Sequence, residues 1–120
     1  MAHSGIHFGG KAIFEKDWNI GEFIKAMGIS FVPYLDDGGA VVEWFPEACS
    51  YWMEDHRNSA PGVRDLELDE YLTNSGRAAQ FSGYLQWLAK RNSLGEYDAP
   101  AVTATIQRVL ELLGFEVDGQ

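Results

Sequence analysis

Cysteine is nearly missing from this chain: its 120 residues hold one, Cys49. An internal disulfide framework is therefore excluded, and the composition fits a reducing compartment. Basic residues are scarce as well, with 9 Lys and Arg against 18 Asp and Glu and a formal net charge of −9. A chain so charged repels phosphates, which argues against direct binding of nucleic acid. No stretch approaches the ~20 apolar residues of a membrane span, so no membrane partner is expected. The first residues, MAHSGIHFGGKAIF, lack a basic start followed by an apolar run and do not read as a signal peptide. Internal repeats and low-complexity linkers are missing too. These absences together predict a cytoplasmic protein.

What remains is globular material. Hydrophobic residues reach 46% and charged residues 22%, a balance that argues against disorder. The length suits one domain over 1–120 around one core. Aromatics make up 13%, including four Trp, so the core or a binding surface must be rich in rings.

The negative charge is unevenly placed. Residues 1–30 are neutral overall, and residues 75–120 carry −1. Residues 31–74 hold Arg57 and Arg64 against ten carboxylates, for a net −8. Such a segment attracts a basic partner and speeds the encounter. The plainer account is a solvated face kept for solubility.

Local patterns predict an α+β fold: a small antiparallel sheet packed against three to five helices. Residues 1–5 read as a loose arm. Residues 6–16, IHFGGKAIFEK, read as strand material bent or turned at Gly9-Gly10. Asp17 can cap a helix over 18–27, where Ile20, Phe23, Ile24 and Met27 fall at helical spacing, and Gly28 stops it. Residues 29–35, ISFVPYL, and 40–45, AVVEWF, flank Asp36-Asp37-Gly38-Gly39 and predict a central hairpin over about 29–45. On that pairing Phe31, Pro33, Leu35, Val42 and Trp44 face the core. Val32, Tyr34, Val41, Glu43 and Phe45 face the other way. Pro33 places its strand at an edge or a bulge.

Pro46 suits the first turn of a helix over 46–57, with Glu47 at its start and His56 and Arg57 at its end, as the helix dipole favours. Residues 58–63 read as a loop. Leu66 enters from an extended segment into a short helix over 68–74. Ser75 caps a helix over 76–90 with a stripe of Ala78, Phe81, Leu85 and Leu88. Asp98 and Pro100 open a last helix carrying Val102, Ile106, Val109, Leu110 and Leu113, and Gly114 closes it. Phe115 and Val117 suit a short final strand.

No motif fixes a chemistry. His3 and His7 are four apart, but their Gly-containing segment has poor helix character, and a closed metal site needs further ligands. Asp65, Glu67, Asp69 and Glu70 lack the Gly and the ligand order of a calcium loop and read as a solvated face. Cys49 and His56 are seven apart on one helix, ~10 Å along its axis, too far for a thiolate–imidazole pair. Gly9-Gly10-Lys11 lacks the fuller pattern of a phosphate loop. No metal, cofactor or catalytic residue is therefore expected, and the chain does not read as an enzyme.

Aromatics interleaved with carboxylates, as between Glu43 and Asp55, are what protein interfaces favour. In size and charge balance the chain is similar to small acidic inhibitors such as bacterial immunity proteins and phage anti-defence proteins, a likeness of composition that transfers no residues. The expected function is a non-enzymatic acidic binding module, an inhibitor docking a basic surface of a nuclease, a toxin or a nucleoprotein complex. Its carboxylates would mimic phosphates. The expected contact residues are Tyr34, Asp36, Asp37, Glu43, Phe45, Glu47, Tyr51, Glu54 and Asp55. Two alternatives stand beside it. One is a small enzyme or ligand-binding domain with a pocket between hairpin and helices, using His7, Cys49 or His56. The other is a homodimer or larger homo-oligomer packed through Val32, Val41 and Phe45.

Overall fold

A computed structural model describes residues 2–39, 43–91 and 99–114. The architecture is α+β: a three-stranded sheet and four helices, in the order β1 (His3–Phe8), β2 (Lys11–Lys16), α1 (Asp17–Asp36), α2 (Phe45–Asn58), β3 (Leu66–Glu67), α3 (Ser75–Arg91) and α4 (Ala99–Leu112). A single 3₁₀ turn, Leu68–Glu70, follows β3 directly.

Gly9 and Gly10 both take positive φ, 60° and 79°, and so make the two-residue turn that joins β1 to β2. Phe8 pairs with Lys11 and His3 with Lys16 across this antiparallel ladder. Within the expected loose arm over 1–5, residues 3–5 instead begin β1, with Ser4 and Gly5 buried, and Met1 lies outside the described residues. The strand order is β2-β1-β3, and β3 runs parallel to β1, pairing Ile6 with Leu66 and His7 with Glu67. The sheet is therefore mixed rather than antiparallel. The 58–64 loop and α2 supply the long crossover that a parallel pairing requires.

The central hairpin does not form. Residues 29–36 continue α1, which runs through Gly28 and Pro33 for 20 residues. ISFVPYL carries a second period that decides the outcome: Met27, Ser30 and Tyr34 extend the buried stripe of Ile20, Phe23 and Ile24. Burial of that stripe overrides the β propensity of Ile, Phe, Val and Tyr. Gly28 is not a stop. It faces α2, with Cys49 Sγ 3.4 Å from where a Cβ would lie. Gly38, at φ 82°, ends the helix: its N–H donates to Leu35 O and that of Gly39 to Tyr34 O, a paired cap of the last carbonyls. A positive-φ glycine serves a hairpin turn and this cap equally, so the Asp-Gly signal had two readings. Residues 40–42 lie outside the described residues, as do Asp98, Phe115 and Val117.

Two caps also differ. Asp17 is the first residue of α1 and its side chain caps nothing in that helix. At α3 the cap is Asn74, whose Oδ1 accepts the Arg77 N–H at 2.9 Å, rather than Ser75.

One core joins all the elements. Ile6, Leu66 and Leu68 enter from the sheet side, the α1 stripe packs against α2, α3 and α4, and α4 covers β2. Rings fill its centre: Phe45 lies 5.2 Å from Tyr84 and 6.3 Å from Phe81, and Tyr34 lies 4.7 Å from Tyr84. The buried Tyr84 hydroxyl donates to Met27 O at 2.5 Å, so the ring's polar end is also satisfied. Among the described residues no helix is long and apolar enough to cross a membrane.

Candidate interaction surface and polar clusters

Helix α2 presents Glu47, Tyr51 and Asp55 at successive i+4 positions, which puts all three on one exposed face. The chain then returns through β3 and lays the 3₁₀ turn beside that face. Tyr71, just past the turn, brings its ring to 5.9 Å from Tyr51 and 5.8 Å from the buried Trp52. Glu70 lies against the Tyr51 hydroxyl. Its charge, with some burial and the Asp55 charge, holds the Tyr51 proton above the ordinary value of 10. Burial, then Glu47 and Glu70, raise Tyr71 likewise. Three carboxylates thus lie beside two neutral tyrosines, a patch whose negative charge attracts an incoming cation.

The nine expected contact residues separate. Glu47, Tyr51 and Asp55 meet in this patch. Tyr34 and Phe45 belong to the core, at 8% and 2% exposure, because the extended α1 turns Tyr34 inward and the first turn of α2 turns Phe45 inward. Asp36, Asp37 and Glu43 are exposed around the α1–α2 connection, and Asp37 Oδ2 accepts the Trp87 indole N–H at 2.8 Å. Glu54 is exposed on α2 but lines a shallow cleft with Ser50, Met53 and Arg57. Glu70 and Tyr71 were missed, since only the return of the chain through β3 brings them to α2. The acidic segment is therefore several surfaces, some of whose carboxylates are occupied. Asp65 Oδ1 accepts the Gly5 N–H at 3.0 Å, and the Asp69 carboxylate accepts the Gly9 N–H at 3.1 and 3.2 Å.

The groups expected to share a pocket in the enzyme alternative are engaged separately. Cys49 Sγ donates to Ile24 O at 3.7 Å, and burial pushes its thiol up to about 11. His56 Nε2 donates to Asp17 O at 3.0 Å. His7 belongs to β1, with Nε2 3.0 Å from Asp65 Oδ2. With the hairpin gone, the apolar groove lies between α1 and α2, about 410 Å³ in volume and lined by Ile24, Ile29, Phe31, Val32, Phe45 and Met53. The face expected for self-association is broken too: Val32 is exposed at the groove's rim, Phe45 is core, and Val41 is outside the described residues.

Asp17 is a structural junction. Its carboxylate accepts the Ser4 hydroxyl at 2.5 Å and the Gly62 N–H at 2.9 Å, and its N–H donates to Ala2 O. Ser4 Oγ in turn accepts the Arg64 N–H. The start of the sheet, two helices and the 58–64 loop are joined there. Gly21 admits the His56 ring to this junction, its missing Cβ leaving 3.0 Å to Cε1.

Compared with known proteins, the chain matches no family model, and neither curated proteins nor solved structures give a match.

Proposed function

We propose that this protein is an acidic binding module that docks a basic surface of a partner protein through the tyrosine–carboxylate patch of α2 and the 3₁₀ turn. The observation carrying this reading is the placement of Glu47, Asp55 and Glu70 around the Tyr51–Tyr71 ring pair, whose centroids lie 5.9 Å apart. Tyrosines supply contact area at low entropic cost, and the carboxylates steer and orient a cationic partner. An inhibitor of a nuclease, a toxin or a nucleoprotein complex is the role that fits such a surface, its acids standing where phosphates would.

The test is affinity capture from a lysate of the organism that encodes the chain, at about 0.1 M and about 1 M salt, between which the screening length falls from ~10 Å to ~3 Å. Two variants accompany the wild type: Glu47→Gln/Asp55→Gln/Glu70→Gln in the patch, and Asp36→Asn/Asp37→Asn outside it. A basic protein held by the wild type and the second variant, and released by the first and by salt, supports the reading. Equal retention by both variants, or no salt-sensitive basic partner, overturns it.

A further inference from the structure

The sheet carries a second cluster, independent of the binding surface. The parallel ladder makes His7 and Glu67 register partners, so their side chains leave the sheet on one face. Asp65, two residues before Glu67, joins them there. One donor atom from each of the three lies within 4.8 Å of the others. We infer that His7, Asp65 and Glu67 form a binding site for a divalent transition-metal ion of the zinc class.

The chemistry of the donors points that way. One imidazole with two carboxylates is a mixed nitrogen–oxygen set, which suits zinc better than the all-oxygen shells of calcium or magnesium. Tetrahedral zinc bonds of about 2.0–2.2 Å place neighbouring ligand atoms about 3.3–3.6 Å apart. His7 Nε2 and Asp65 Oδ2, now 3.0 Å apart as a hydrogen-bonded pair, need to part by only about 0.3 Å to reach that spacing. Only Glu67 has to close in. Its carboxylate makes no hydrogen bond or ion pair among the described residues, and its side chain has the rotamer freedom to do so.

Two further features fix the ligands. Asp65 turns its other oxygen, Oδ1, to the Gly5 N–H at 3.0 Å, the kind of outer contact that orients a ligating carboxylate. The His7 ring folds back over Gly5, with Nε2 only 2.6 Å from where a Cβ would lie. Glycine at position 5 is thus a condition for this imidazole placement. The His7 and Asp65 side chains are 32% and 42% exposed, so an ion reaches them from solvent and water completes its shell.

Calorimetric titration of the full chain with zinc chloride in a non-chelating buffer tests the site, with circular dichroism to confirm folding. The expected result is one saturable equivalent for wild type and for His3→Ala. His7→Ala and the conservative Glu67→Gln should bind about tenfold or more weakly, and so should Gly5→Ala, which displaces the ring without removing a ligand. A melting temperature raised by zinc in wild type but not in Glu67→Gln is the second readout. No saturable equivalent, or unchanged binding in the folded Glu67→Gln and His7→Ala variants, overturns the site.

Discussion

Replacing Asp17 by alanine removes a carboxylate that accepts two hydrogen bonds in a nearly closed setting, with the residue only 8% exposed. Hydrogen bonds to a charged group contribute about 1.5–3 kcal/mol each, and the Gly62 N–H would be left without its acceptor. A loss of about 3 kcal/mol follows, since two bonds sharing one carboxylate are not fully additive. For a chain of this length that lowers the melting temperature by roughly 12 °C, at about 4 °C per kcal/mol. The effect also has a pH signature. Burial raises the Asp17 pKa, but the Ser4 hydroxyl, the Gly62 N–H and the charges of Arg64 and His56 more than offset it, leaving it below the ordinary 3.8. A depressed folded-state pKa means stabilisation that is present above the unfolded value and lost as pH falls through the folded one. Urea denaturation of wild type and Asp17→Ala should therefore show a constant gap near neutrality that narrows below pH 3.8. A gap under about 1 kcal/mol at pH 7, or one that does not narrow in acid, would refute the role given to Asp17.

Other groups give shorter tests. Cys49, with its thiol near 11 against an ordinary 9.0, should be alkylated by iodoacetamide at pH 8 about a hundredfold more slowly than a free thiol, and at the free rate in denaturant; fast labelling of the folded chain would contradict its burial. Thr105 is buried in α4, and its hydroxyl finds no hydrogen-bond partner among the described residues. Thr105→Val should therefore stabilise by about 1 kcal/mol in thermal melts, and destabilisation would show that the hydroxyl is satisfied. Glu70→Gln should bring the Tyr51 hydroxyl back toward its ordinary 10 in an ultraviolet titration, and an unmoved Tyr51 would separate Glu70 from the patch.

The legible parts of the sequence were those where local chemistry admits one answer. Gly9-Gly10 between two short apolar runs gave the β1–β2 turn, Pro46 opened α2, and the stripe from Val102 to Leu113 with Gly114 defined α4. The 29–45 segment failed because two signals coincide in it. Ile29 to Leu35 has strand-like composition and helix-like spacing, and only packing against α2 and α3 selects between them. The candidate sites divide along the same line. Glu47, Tyr51 and Asp55 were named as contact residues on the expected 46–57 helix, whereas Glu70, Tyr71 and the pairing of His7 with Asp65 depend on a parallel strand joining positions 58 residues apart.

Hydroxyl-radical footprinting of the protein with its captured partner tests the binding reading most directly. The account predicts that Tyr51 and Tyr71 lose reactivity in the complex, while Phe14 and Trp18, exposed on β2 and α1, keep theirs. Unchanged tyrosines, with protection appearing at Phe14 or Trp18 instead, would contradict it.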